Sequence, residues 1–122
     1  MSVEDFLSHI ERNTEPFDLD GFREYNNVIF NLDYNSLSND VHLVTLLSKN
    51  RNNGDGTNFM NFLIETADTF EVNLFLSAVP LSLKNDVISK DNLIKFYKKF
   101  GFEILENEKL IRYCERTNSL ML

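Results

Sequence analysis

The chain has 122 residues, of which 43% are hydrophobic and 25% charged, and its formal net charge is -7. This length suits one domain with its own core, so we expect a single domain over residues 1–122. No apolar run is long enough to cross a membrane and the N-terminus, with Glu4 and Asp5, lacks the basic start of a signal peptide, which together predict a cytoplasmic protein without a membrane partner.

The first forty residues predict one helix and one strand. Apolar residues recur on one helical face from Val3 to Ile10, behind the candidate N-cap Ser2, and predict a helix over about 3–12. Residues 13–21 are typical of a loop, which three apolar side chains pin to the core: Phe17, Leu19 and Phe22. Alternating polarity predicts a strand over 28–34 whose buried face carries Val28, Phe30, Leu32 and Tyr34.

Residues 41–79 predict a strand, a helix and a second strand. Residues 41–48 are almost continuously apolar, as in a strand covered on both faces, and we expect them to pair antiparallel with strand 28–34. Apolar residues then step at three and four positions over 57–70, which predicts a helix, and 72–79 is again an apolar strand. Such a unit has parallel strands and a right-handed crossover.

The last third predicts a helix and a hairpin. After a loop over 80–89, a helix begins near Ser89 or Lys90, and Gly101 suits the C' position that ends it. Residues 102–105 and 109–114 form a hairpin, and 115–122 is a tail. The predicted fold class is α/β (α+β), with a mixed central sheet and flanking helices.

The charge is unevenly distributed. Residues 1–40 hold nine acidic and two basic residues, whereas residues 41–122 hold ten of each. A nucleic-acid partner is therefore disfavoured, while a cationic partner and a simply solvated acidic surface both fit. The single Cys114 fits a reducing compartment and an inert, packed thiol. Two histidines and one cysteine show no metal-ligand spacing, so we expect no metal.

The joint between strand 41–48 and the next helix is a candidate phosphate site. Its glycines allow close approach of the backbone to a ligand, and the helix N-terminus offers free N–H groups to an anion. Residues 50–58 also look like a calcium loop, but placing Gly56 at the invariant glycine puts Arg51 and Phe62 at the first and last ligand positions. Neither side chain can bind calcium.

Two segments together resemble the GNAT superfamily of N-acetyltransferases. Arg51-Asn52-Asn53-Gly54-Asp55-Gly56 matches the family's [Q/R]-x-x-G-x-[G/A] loop, in its place between a strand and a helix. Residues 93–104 look like the second motif, a helix ending in Tyr-x-x-x-Gly-Phe, here Tyr97 to Phe102. The resemblance covers about residues 40–114.

The resemblance implies a site for acetyl-CoA over residues 41–114, with residues 1–40 as a reduced acceptor side. The pyrophosphate would be held by a loop comprising Arg51, Asn52, Asn53, Gly54, Asp55, Gly56 and Thr57. Strand backbone at Thr45, Leu46 and Leu47 would face the pantetheine arm. Tyr97 takes the position of the tyrosine that protonates the departing CoA thiolate, and a phenol whose pKa is near 10 suits that task. A packed core aromatic is the alternative for Tyr97.

Other family positions are less well matched. Asp40 and His42 occupy places where members carry the base that deprotonates the amine, and they point to the same side of the strand. Each also fits a purely structural role, and Ser77 is a weaker candidate. Lys90 stands where the family often has asparagine, with Asn92 nearer the tyrosine.

Two functions follow as hypotheses. The first is an N-acetyltransferase that transfers acetyl from acetyl-CoA to a primary amine of a small molecule or protein. The second is a catalytically degenerate GNAT-fold binding module acting through protein contacts, which exposed Phe17 and Phe22 would favour. A homodimer is compatible with either.

Overall fold

The computed structural model describes residues 3–17, 21–35, 37–49, 54–78 and 89–114. Within them, three helices flank one mixed sheet of seven strands, which confirms the predicted fold class. The helices are α1 (Val3–Asn13), α2 (Asp55–Thr69) and α3 (Lys90–Lys98). The strands are β1 (Glu15–Pro16), β2 (Phe22–Tyr25), β3 (Val28–Asn35), β4 (Asp40–Ser48), β5 (Asn73–Ser77), β6 (Glu103–Glu106) and β7 (Lys109–Arg112).

The sheet order is β1-β2-β3-β4-β5-β7-β6, and β4 with β5 is the parallel pair among these strands. The predicted antiparallel pairing of β3 with β4, the parallel unit around α2 and the closing hairpin of β6 and β7 are confirmed. None of the three described helices is long and apolar enough to cross a membrane.

The prediction of one strand in the first forty residues is wrong, because β1, inside the predicted loop over 13–21, and β2, directly after it, add two strands before β3. Arg23 on β2 donates from Nε to Thr14 Oγ1 (2.6 Å) and from Nη2 to the Glu11 carbonyl (3.2 Å), which ties β2 to the end of α1. Asn26 and Asn27 both have positive φ, 43° and 71°, and form the two-residue turn into β3. The sequence has no glycine there, so the hairpin carries only a weak signal.

The core lies between the helices and one face of the sheet. Its fully buried side chains come from α1, α2 and the sheet, and the largest are Phe6, Phe30 and Phe59. Phe30 and Phe59 pack with their ring centroids 4.6 Å apart. On β3 the predicted buried face needs correction at one end, since Tyr34 is exposed.

The prediction that β4 is covered on both faces is wrong at His42 and Val44, which are exposed. The helices pack against the face that carries Val41 and Leu43, both buried, and β4 alternates between the two environments over this half. An apolar composition therefore overstated the burial of the strand.

The third helix begins as predicted, with Ser89 as N-cap accepting from the backbone N–H of Asn92 at 3.2 Å. It ends at Lys98, and Gly101, with φ 91°, lies two residues beyond the C-cap Lys99 instead of directly after it. The predicted cap Ser2, the loop over 80–88 and the tail over 115–122 lie outside the described residues.

One buried ion pair joins the second half of the fold. Arg112 on β7 donates to both carboxylate oxygens of Asp68 on α2, at 2.7 and 3.0 Å. Its Nε donates to the carbonyl of Phe100 at 2.8 Å, so the same side chain also fixes the segment after α3. Both helices around the candidate phosphate site are thus held to the sheet by Arg112.

Candidate active site

The parallel strands β4 and β5 part halfway along β4. Their pairing runs from Asp40–Asn73 to Leu43–Leu76, and β5 ends at Ser77. β4 continues and keeps its pairing with β3. Among the described residues, residues 44–47 therefore have no strand partner on the β5 side. Their backbone groups on this edge can pair with an extended ligand.

An irregularity in β4 coincides with this separation. Leu43 lies opposite Leu32 and Thr45 lies opposite the adjacent Asn31, which leaves Val44 as an extra residue. Such a bulge bends its strand and increases the local twist, and bulges occur often beside active sites. Val44 is 47% exposed. The bulge thus lies directly after Leu43, the last residue of β4 that pairs with β5.

The N-terminus of α2 follows this edge and is not capped by a side chain within the described part of the chain. Its N-cap is Gly54, whose φ of 79° is left-handed, and the first intrahelical bond runs from Asn58 N–H to the Gly54 carbonyl at 3.0 Å. The amides of Asp55, Gly56 and Thr57 precede that bond and point out of the helix end. This arrangement suits an anion.

Asp55 complicates that anion site. A carboxylate in the first turn interacts favourably with the helix dipole but repels a phosphate. Its Oδ2 atom is buried, with no hydrogen-bond partner among the described residues. The predicted ligands Arg51, Asn52 and Asn53 lie outside the described residues, so the structure shows only the second half of the loop.

The helix α3 packs on the first turn of α2 and brings the two motif segments together. A Cβ placed on Gly56 would lie 3.6 Å from Cζ of Phe96, the residue before Tyr97. Tyr97 packs edge-on against Phe96 and Phe102, with ring centroids 5.3 and 5.9 Å apart, and belongs to the core. Desolvation by this burial raises the pKa of Tyr97 well above its ordinary value. The phenol therefore remains protonated at neutral pH.

Asn92 contributes to the start of α3 through its backbone, as described for the Ser89 cap, and the residue is exposed. Lys90, which stands where the family often has asparagine, has its Nζ 3.8 Å from Glu108 Oε2.

Asp40, His42 and Ser77 line a shallow cavity of about 480 Å³ on the face of the sheet opposite the core. Asp40 accepts a hydrogen bond from Asn73 Nδ2 at 3.3 Å, and His42 is exposed. Tyr97 is not among the described residues that line this cavity. The structure thus brings the candidate bases together at one cavity on one face of the sheet and places the candidate acid in the core on the other face.

Sequence reasoning missed two features of the site. The bulge at Val44 is a property of register with β3, and the sequence carries no local signal for it. Asp33 and Leu105, which also line the cavity, look in the sequence like an ordinary polar-face residue and an ordinary hairpin residue. Only the sheet order brings these two positions to one cavity.

No family model matches the sequence, and no curated protein matches it. Among solved structures, that of the anti-CRISPR protein AcrVA5 matches with a TM-score of 0.53 and 17% sequence identity. The match covers 81% of this chain and 97% of that chain. At this identity the likeness shows that the fold is shared over most of the chain.

Proposed function

We propose that this protein is an acetyl-CoA-dependent N-acetyltransferase of the GNAT type, acting in the cytoplasm on a primary amine without a metal ion. One observation carries the proposal: two parallel strands part at a bulge, beside the N-terminus of α2, which no described side chain caps and against which α3, the helix of Tyr97, is packed. A strand edge and a candidate anion site thereby lie together, with the helix of the proposed proton donor beside them.

The cofactor would bind along the open edge of β4. The amides of the pantetheine arm would pair with the backbone of Thr45, Leu46 and Leu47, as an added strand would. The pyrophosphate would then lie at the first turn of α2, where the N–H groups and the helix dipole favour an anion. We assign the other half of this cradle to Arg51, Asn52 and Asn53.

The chemistry is a direct transfer between two bound substrates. The neutral amine attacks the thioester carbonyl, a C–N bond forms, the C–S bond breaks and the electron pair leaves with the CoA sulfur. Tyr97, whose phenol is protonated at neutral pH, donates its proton to that thiolate. The ammonium form of the amine must first lose a proton, and we assign its removal to His42 or Asp40, directly or through water.

The binding-module hypothesis has lost its expected support. Phe17 and Phe22, whose exposure would favour it, are half-buried, and Lys49 Nζ lies 5.7 Å from the centre of the Phe17 ring. The proposed acceptor is a primary amine of either a small molecule or a protein. The fold shared with an anti-CRISPR protein is compatible with both.

Titration calorimetry with acetyl-CoA and a CoA-release assay with a panel of primary amines test the proposal. We expect the native protein to bind acetyl-CoA and to release CoA. Tyr97→Phe should bind acetyl-CoA with unchanged affinity and lose about 10²-fold or more in turnover, the typical effect of removing a proton donor. Tyr113→Phe, at an exposed tyrosine, serves as the matched control and should behave like the native protein.

Absence of acetyl-CoA affinity would contradict the proposal outright. Affinity without turnover on any amine would instead support the binding module. Equal turnover in Tyr97→Phe and the native protein would remove the assigned role of the phenol while leaving the cofactor site in place.

A further inference from the structure

The floor of the cavity opposite the core is formed by the sheet. The registers place Asp33, His42 and Phe75 side by side across β3, β4 and β5, and directly opposed residues of neighbouring strands lie on the same face. All three line the cavity. Phe75 is half-buried and His42 exposed, so the row combines an apolar surface with a polar one.

The cavity reaches the point where β4 and β5 part. Leu76 and Ser77, the last paired and the last residue of β5, are part of its lining. A ligand in the cavity and a thioester on the edge of β4 would therefore approach the same break in the sheet from opposite faces.

One wall of the cavity is apolar and exposed. Leu105 lies at the irregularity of β6, between Ile104 and Glu106, and is 54% exposed while lining the cavity. With Phe75 it offers an apolar path of the kind that alkyl chains cover, and the volume of about 480 Å³ lies in the range of small-ligand sites.

The charges around this path favour a cation. Among the described residues that line the cavity are three carboxylates, on Asp33, Asp40 and Glu106, and one ammonium group, on Lys109. Lys109 Nζ is 3.8 Å from Glu106 Oε1, so Lys109 partly neutralises that acid. Asp33 Oδ1 accepts from the Tyr34 N–H at 2.9 Å, and no hydrogen bond from the described part of the chain occupies Oδ2.

We propose that this cavity binds the acceptor as a primary ammonium group on an unbranched apolar stem, with Asp33 next to the ammonium and the stem along Phe75 and Leu105. That this ligand is the acceptor rests on the proposed transferase activity. A free alkylamine and a lysine side chain both carry a primary ammonium group on an unbranched apolar stem.

Calorimetric titration without acetyl-CoA tests the cavity itself. The probes are hexylamine, its anionic counterpart hexanoate, a short lysine-containing peptide and the same peptide with the lysine acetylated. We expect hexylamine and the lysine peptide to bind at least about tenfold more tightly than their uncharged or anionic counterparts, as for hydrogen bonds to charged groups. The tighter of the two cationic probes identifies a free amine or a protein lysine as the source.

Two variants connect that binding to the cavity. Asp33→Asn keeps an oxygen for the Tyr34 N–H and removes the charge, so it should lower the binding affinity for the cationic probes about tenfold. Leu105→Ser should lower the binding affinity for hexylamine by a similar factor. Glu65→Gln, an exposed acid on α2, and Leu37→Ser, an apolar residue that is 96% exposed, are the controls and should change nothing.

Equal binding of hexylamine and hexanoate, or unchanged binding by both cavity variants, would overturn the cavity assignment. A failure of the transferase proposal looks different. In that case acetyl-CoA would not bind or react, while hexylamine would still bind and respond to Asp33→Asn. If transfer occurs and the KM for the amine is unchanged in Asp33→Asn, the transferase stands and the cavity assignment fails.

Discussion

At the scale of single residues, Tyr97 occupies a core position, and its proposed role is that of a proton donor. From the sequence, Tyr97 fits either a proton donor or a packed core aromatic, and the structure buries it between Phe96 and Phe102. Burial opposes the phenolate, so the phenol of Tyr97 keeps its proton to a higher pH than an exposed tyrosine does.

The buried phenol predicts a specific dependence of stability on pH. The pKa of Tyr97 is raised in the folded state above the ordinary value of 10.0, so the unfolded chain loses its proton first. The contribution of Tyr97 is therefore fully present below pH 10 and is lost as the pH rises above it, by up to about 1.4 kcal/mol per pH unit. Urea denaturation at pH 8 and pH 11 measures this loss.

Tyr97→Phe should lose less stability between those two pH values than the native protein, because phenylalanine does not titrate. Tyr113→Phe removes an exposed phenol, and its free energy of unfolding should fall with pH as that of the native protein does. Parallel declines in native protein and Tyr97→Phe would show that the phenol at position 97 titrates normally.

Two glycines of the candidate phosphate loop should respond in opposite ways to alanine. Gly56→Ala fits, since its Cβ would make an ordinary contact 3.6 Å from Phe96, and it should stabilise α2 by about 0.5–1 kcal/mol with acetyl-CoA affinity kept. Gly54→Ala should lower the free energy of unfolding by about 1–2 kcal/mol, because φ is 79° at this position. It should also lower the affinity for acetyl-CoA. Urea denaturation and calorimetry on both variants check this, and equal effects would contradict it.

At the scale of elements, periodicity and turn residues were sufficient to predict a helix or strand that buries one of its faces. They gave α1, α2, α3, β3, β4, β5 and the closing hairpin, with boundaries shifted by a few residues. They missed β2, because its four residues are all half-buried and show no alternation. They also overstated the burial of β4, because the helices cover only one of its faces and the sequence does not show which one. The residues around Val44 carry no signal for a bulge, because a bulge is defined by the register of β4 with β3.

The bulge predicts an effect that separates folding from cofactor binding. Leu43 and Thr45 face adjacent residues of β3, so deletion of Val44 closes the irregularity without shifting the rest of β4. We expect the variant to fold with stability within about 1 kcal/mol of the native protein. Its acetyl-CoA affinity should fall at least about tenfold, because the straightened strand can continue toward β5.

Urea denaturation and calorimetry on the deletion variant measure the two quantities. Val44→Ala, which keeps the extra residue, is the matched control and should bind acetyl-CoA normally. Undiminished affinity in the deletion variant would show that the bulge does not shape the cofactor site.

At the scale of the whole molecule, one core joins elements from both ends of the described chain. Val3, Phe6 and Ile10 of α1 belong to the same buried cluster as Phe102 and Leu110. The bidentate pair of Arg112 with Asp68 adds a second long-range connection. The candidate cofactor site therefore depends on packing far from it, and α1 is part of the structure that holds the site.

This continuity predicts cooperative unfolding. Phe6→Ala removes a fully buried ring and should lower the free energy of unfolding by about 3–5 kcal/mol. Far-UV circular dichroism and hydrogen exchange of α3 amides should report the same midpoint in urea, because a single-core domain unfolds in one transition. A separate, unchanged transition for α3 would show that the C-terminal half folds independently of α1.

The order of the strands also has a consequence for behaviour in solution. Among the described strands, the sheet ends at β1 on one side and at β6 on the other. The β1 edge is two residues long and includes Pro16, whereas β6 carries the exposed Ile104 and Leu105 between Glu103 and Glu106. Those two acids act as gatekeepers against edge-to-edge pairing of molecules, in a chain of net charge -7. Near its isoelectric point of about 4.7 this protection weakens, and aggregation should begin at the β6 edge.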